Sequence, residues 1–303
     1  MSAQIAKTIT QLDSVRAYND TFGFPTKHPL VAVVDFSKAA RQLTYYSLNY
    51  GIYALFLKRF KCGELRYGRS VYDYQEGTVT SFAPGQVVEG IITPGQPVSC
   101  LGLLFHPDLI KGTPLSAGMR RYGFFSYSSN EALHLSEEER GLFADCLGRI
   151  AAEIDRPSDS SSLRIIVNNI ELLLEYCLRF YERQFVTRSE CNRGVLERFE
   201  QLLNEYFAGN RPQQEGLPMV KYFADKVCLS PNYFGDLVKK ETGVSAQEYI
   251  SKYVLDRAKN LLIGTTETVN QISYELGFRY SSHFNRFFKR YTGFTPVKYR
   301  QHA

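Results

Sequence analysis

Two clusters of polar side chains, fifty residues apart near the end of this 303-residue chain, hold the groups best suited to recognition chemistry. In the later cluster, the guanidinium of Arg286 can make a paired contact to guanine O6 and N7. Arg279, His283, Lys289 and Arg290 flank it, and donors so placed fit phosphate oxygens. In the earlier cluster, Asn232 suits the N6/N7 edge of adenine and Asp236 can accept from cytosine N4, while Lys239 and Lys240 suit phosphate. Tyr233 is expected on the same solvent-facing side. Gly235 reaches nothing, so this cluster should clamp backbone more than it reads bases. The chemistry implied is hydrogen bonding and charge neutralisation on double-stranded DNA in its major groove.

Such side chains discriminate only if rigid elements aim them, and the surrounding sequence repeats to do so. Ala224–Phe234 followed by Leu237–Gly243 is echoed by Ser273–Phe278, His283-Phe284 and Phe287–Gly293. An offset of fifty superposes Phe234 on Phe284, Lys239 on Lys289, Thr242 on Thr292, Gly243 on Gly293 and Tyr249 on Tyr299. Each copy reads as a short helix, a turn and a second helix closed by Thr-Gly, the helix-turn-helix pattern. Ser230 is a natural N-cap with Pro231 at the first helical position, and Phe234, Leu237, Phe284 and Phe288 face inward. Between the copies, Ser245–Leu262 carries apolar residues at three/four spacing and predicts one spacer helix. Its eighteen residues span about 27 Å, enough with flanking turns to set two readers about 34 Å apart, one turn of B-DNA.

Residues 217–300 resemble the DNA-binding domain of the AraC/XylS family of bacterial transcription regulators. The resemblance rests on Ala258-Lys259, Leu261-Leu262, Val269, Ile272, Leu276-Gly277-Phe278, Phe284, Phe288-Lys289, Gly293, Pro296 and Tyr299-Arg300. It implies that Ser281, Ser282, Asn285 and Arg286 lie on the base-contacting face of the second reading helix. Tyr253 departs from the pattern, standing where the family's spacer helix commonly has arginine, and so do Gly235 and Asp236, where larger or basic residues are usual. For the rest of the chain the resemblance implies a cupin-like jelly roll, to which Tyr72–Gly77 and Phe82–Gln86 add a likeness. It also implies a small-molecule effector, a homodimer and RNA polymerase as partners.

Charge divides in the same way. Residues 217–303 hold 13 Lys+Arg against 7 Asp+Glu, and residues 1–216 hold 23 against 24, so the excess positive charge belongs to the repeat region. Such a region should bind DNA with strong salt dependence. The composition, 44% hydrophobic and 22% charged, is that of globular domains, and the length suits two. No apolar run approaches a membrane span and MSAQIAKTITQLDS lacks a signal-peptide core, so a cytoplasmic protein is expected. Cys62, Cys100, Cys146, Cys177, Cys191 and Cys228 show no paired spacing and are expected as free core thiols. His28, His106, His134, His283 and His302 are isolated, which leaves no metal-ligand pattern, and no nucleophile or nucleotide motif appears. Neither cofactor nor catalytic residue is expected.

The predicted fold class is α+β multidomain: an N-terminal β-rich jelly-roll/cupin-like domain with following helices, then an all-α domain with two helix-turn-helix units. Strands are expected at Val31–Phe36, Leu43–Leu48, Ile52–Lys58, Thr78–Phe82 and Val98–Phe105, separated by Gly- and Pro-bearing turns. Ser136 and Glu139 form a capping box for a helix over Glu137–Ile154. In a second helix, Ser161–Phe185, residues Leu163, Ile166, Ile170, Leu173, Cys177 and Phe180 make a heptad seam. That seam packs either on its own β domain or, as the resemblance favours, on a second copy. A third helix is expected near Val195–Phe207 and an interdomain linker at Ala208–Gly216. The boundaries are then 1–130 regulatory, 131–207 helical packing or dimerisation, 208–216 linker and 217–303 DNA-binding. The reading that follows is a sequence-specific transcription regulator, effector-responsive through its N-terminal domain. The alternative is a β-barrel ligand-binding protein or metal enzyme with an accessory DNA-binding tail.

Overall fold

A computed structural model of the chain describes residues 9–41, 45–58, 64–67, 70–73, 77–91, 99–128, 131–187 and 189–302. They form two compact units, Met1–Thr187 and Arg188–Ala303.

The first unit is built on ten strands: β1 (Thr10–Leu12), β2 (Val31–Asp35), β3 (Tyr45–Tyr50), β4 (Tyr53–Lys58), β5 (Glu64–Tyr67), β6 (Ser70–Asp73), β7 (Thr78–Phe82), β8 (Gln86–Ile91), β9 (Cys100–Phe105) and β10 (Leu133–His134). They make two five-stranded sheets, ordered β1-β3-β8-β5-β6 and β10-β7-β4-β9-β2. Neighbours pair antiparallel except β1 with β3. Alternation along the strands points Leu48, Tyr50 and Val88 of one sheet and Val34, Ala54, Phe56, Phe82 and Leu104 of the other into a common core. Helix α1 (Val15–Phe22), capped by Ser14, adds Tyr18 and Phe22 to this core. There, Tyr18, Phe22, Phe36, Phe56, Phe82 and Tyr50 form a chain of ring contacts with centroids 4.8–6.2 Å apart. The strands β2, β4, β7 and β9 fall where Val, Ile, Phe and Leu alternate or run together. β1, β5, β6, β8 and β10 lie outside the expected segments; β8 does carry Val87, Val88 and Ile91, whereas the other four are short and hold at most two apolar residues each. Cys62, residues 74–76 of the Tyr72–Gly77 likeness, and Leu43 and Val98 at the starts of two expected strands lie outside the described residues.

After the short helices α2 (Pro107–Ile110) and α3 (Pro114–Gly118) come α4 (Glu137–Ile154) and α5 (Ser162–Thr187). Helix α4 begins at the capping box expected of it, with both Ser136 and Glu139 side-chain bonds formed. The seam on α5 corrects the dimerisation expectation. Ile166, Ile170, Leu173, Cys177 and Phe180 are all within 3% of full burial inside one chain, whereas Leu163 is 50% exposed and outside the seam. α5 packs along α4, whose Phe143, Cys146, Leu147 and Ile150 are buried, and against β10. Hydrogen bonds fix the second contact: Gln184 accepts from the His134 N–H (2.8 Å) and donates to the Ala132 carbonyl (3.2 Å). Arg183 donates to the His134 carbonyl (2.6 Å) and to Glu139 (2.8 Å). A stripe already covered by its own unit cannot also be a free interface. Burial holds the Cys177 thiol far above its ordinary range.

The second unit comprises α6 (Ser189–Ala208), α7 (Arg211–Glu215), α8 (Val220–Lys226), α9 (Pro231–Thr242), α10 (Ala246–Gly264), α11 (Val269–Glu275), α12 (Ser281–Thr292) and α13 (Pro296–His302). Here the expected boundaries need a second correction. α6 belongs to this unit, because Phe199, Leu202, Leu203, Tyr206 and Phe207 share one core with Phe223, Phe234, Ile250, Phe284 and Phe288. Phe199 alone meets Phe223, Phe234 and Tyr249 at centroid distances of 5.0–5.4 Å. The stretch 208–216, expected as a linker, contains α7 with Pro212 buried, and Tyr206 donates to the Gly216 carbonyl at 2.9 Å. The polar composition fits the exposure of residues 208–211, Gln214 and Glu215, but it hid a helical turn and the apolar anchor Pro212 that ties the stretch to the unit.

Candidate nucleic-acid interface

The two reading helices, α9 and α12, close with the same atoms. In α9 the Thr242 hydroxyl donates to the Val238 carbonyl at 2.7 Å and Gly243 turns left-handed at φ 75°, its N–H bonded to Lys239. In α12 Thr292 donates to Phe288 at 2.8 Å and Gly293 has φ 80°, its N–H bonded to Lys289. A glycine carries that conformation without the steric cost of a Cβ, which is why Thr-Gly recurs. Each is followed by a helix, α10 and α13, and the two meet where Arg300 Nε donates to the Leu262 carbonyl at 2.7 Å. α10 is nineteen residues long, about 28 Å by its rise.

The entries differ. Ser230 caps α9 by accepting from the Tyr233 N–H at 3.2 Å, with Pro231 at the first position. Between α8 and α9 stand four residues; between α11 and α12 stand five, the addition being Arg279. At the N-cap of α12 is Tyr280, whose side chain makes no capping bond. The turn of the second copy also holds Gly277 at φ 89°, where a Cβ would lie 2.8–2.9 Å from backbone atoms of Gly216 and Pro212. So the end of α7 seats the second helix-turn-helix, and only glycine fits at the contact.

On α12, Phe284 and Phe288 are fully buried, while Ser282, His283, Arg286, Lys289 and Arg290 are exposed and Ser281 and Asn285 half-buried; Arg279, in the turn before it, is exposed too. Periodicity puts Arg286 at the middle of the exposed face, with Ser282, His283, Lys289 and Arg290 around it. On α9, Asn232, Asp236, Lys239 and Lys240 are exposed and Gly235 leaves a gap among them. Tyr233 is a correction: it is 4% exposed and joins Phe234, Leu237 and Val238 on the inner face. An aromatic at the third helical position lies one step from the core stripe, and its size carries it inward. Of the described cysteines, Cys228 is another: it lies exposed in the turn after α8 at φ 59°, not in the core.

Sequence reasoning missed Tyr280, 57% exposed at the head of the reading face, because a tyrosine gives no capping signal. It also missed α6 as support. The Leu202-Leu203 and Tyr206-Phe207 pairs could have revealed it. Among the described residues no three His, Cys, Asp or Glu side chains are grouped to hold a metal. No described helix is long and apolar enough to cross a membrane.

Residues 223–302 match the family described as a helix-turn-helix domain. They form an AraC-type helix-turn-helix domain. The AraC-type domain is similar to YobQ of Bacillus subtilis, an uncharacterised HTH-type transcriptional regulator, at 38% identity over 81 residues, 27% of this chain and 34% of the relative. The transcriptional activator RhaS of Citrobacter koseri is 24% identical over 153 residues, 50% of this chain and 52% of the relative. The chain thus spans about half or less of the length of these curated relatives. Among solved structures, the C-terminal domain of AraT, a response regulator from Geobacillus stearothermophilus, is 24% identical and covers 36% of this chain and 85% of its own, with a TM-score of 0.33.

Proposed function

We propose that the chain is a sequence-specific DNA-binding transcription regulator. The observation that carries the reading is the pair of helix-turn-helix copies in one unit, each presenting an exposed polar and basic helix face. One helix offers few base contacts; two add their discrimination within a single chain. The unequal faces argue for unequal roles, with α12 the base reader around Arg286 and α9 mainly a backbone clamp through Lys239 and Lys240. Selection of duplexes from a random pool by the full chain tests this. A recovered consensus whose affinity falls steeply with salt is expected; no enrichment at low ionic strength would overturn it.

The finer parts of the reading concern the first unit. Its two sheets around an aromatic core suit a cupin-like jelly roll serving as a regulatory domain. A small-molecule effector would act there by binding one state of the chain more tightly than another. The reading includes RNA polymerase as partner, a cytoplasmic location and a homodimer, whose interface would use residues other than the buried α5 seam. Sedimentation of the chain with and without the selected duplex tests the last point, and a monomer under both conditions would remove it.

A further inference from the structure

The internal duplication supplies its own control for Tyr280. At the N-cap of the first reading helix stands Ser230, 8% exposed and bonded to its own helix. Fifty residues on, at the N-cap of the second, stands Tyr280, 57% exposed and without a capping bond. A tyrosine there gives up the cap that serine supplies and leaves most of a large ring in solvent, costs that one edge contact within the unit offsets only in part. Its ring leans edge-on against His283, centroids 5.4 Å apart. His283 and Arg286 follow at steps of three, so Tyr280 heads the row that crosses the exposed face of α12.

We propose that Tyr280 is a specificity-determining residue whose ring packs on the C5-methyl of a thymine beside the base pair contacted by Arg286. The chemistry follows from place and type: residues at the start of a reading helix meet base edges, and an apolar side chain there reads the one apolar group the major groove displays. The inference rests on the DNA-binding reading of α12.

The test replaces single thymines by uracil, which lacks only that methyl, in the duplex selected by the full chain. The wild-type chain is expected to lose about fourfold in affinity at one position, the worth of one buried methyl. Tyr280→Phe should keep that loss, and Tyr280→Ser should bind thymine and uracil duplexes alike at that position. Because serine restores a cap, Tyr280→Ser should melt no lower than wild type, which separates lost contact from lost fold. Unchanged affinity of Tyr280→Ser for the thymine duplex would overturn the proposal, as would an equal loss on both duplexes, which would indicate a sugar–phosphate contact. Failure to select any duplex would remove the parent reading, and this with it; Arg286→Ala weakening a selected duplex while Tyr280→Ser does not would sink this proposal alone.

Discussion

Arg286 lies exposed at the centre of the α12 face, with its backbone anchored on either side by the buried rings of Phe284 and Phe288. That placement spends no affinity on ordering the helix, so its contact should count in full. Arg286→Ala is expected to weaken the selected duplex by about 1–3 kcal/mol, roughly 5- to 150-fold, and to flatten preference at one base pair. Lys289→Ala, at the rim, should weaken all duplexes similarly and lower the salt slope by about one. Titrations over single-base variants at several salt concentrations distinguish the two. A different residue carries a pH signature. Burial first, then the charge and hydrogen bond of Glu267, push the Glu275 carboxyl above its ordinary 4.5, against the pull of Arg257 at 3.9 Å. The folded state therefore holds that proton more tightly than the unfolded chain, so its contribution is present below the ordinary value and lost as pH rises through the folded one. Glu275→Gln should match wild type near pH 4.5 and exceed it at pH 7, by less than about 1 kcal/mol since the group is partly solvated. Paired denaturant melts at the two pH values measure it.

At the level of elements, legibility followed the strength of local signals. The capping box at Ser136, the Thr-Gly ends of α9 and α12 and the spacer helix were readable because each is a short-range pattern with its own physical cause. The direction of the α5 stripe was not, since a heptad seam looks the same whether its partner is α4 or another chain. Leu173→Ala decides between them: it should cost about 2–5 kcal/mol of unfolding free energy by denaturant titration, without making stability depend on protein concentration. Nor was the site of Gly277 readable beyond its being a turn glycine; the reason for it is Gly216 and Pro212 from a segment sixty residues earlier. Gly277→Ala combines a left-handed φ with backbone overlap, and the expected cost is about 1–3 kcal/mol or more by the same measurement.

At the level of the molecule, charge and duplication locate the proposed DNA-binding function near the end of the chain but draw its border too late. The border stands at residue 188 because α6 carries Phe199, Leu203 and Tyr206 into the aromatic core of the reader. A fragment spanning 189–303 is accordingly expected to fold cooperatively by circular dichroism, and one beginning at 217 to melt poorly or aggregate, its Phe223 and Phe234 rings uncovered. The contact of Gly277 with the end of α7 bears on recombination between regulators. A crossover drawn through the hydrophilic stretch 208–216 would part α6 from all or some of α7, or α7 from the second reader, and demand that both parents had inherited matching contours. On the proposed DNA-binding reading, hybrids joined at 188 would carry the whole seat across intact and transplant its duplex preference as one heritable piece.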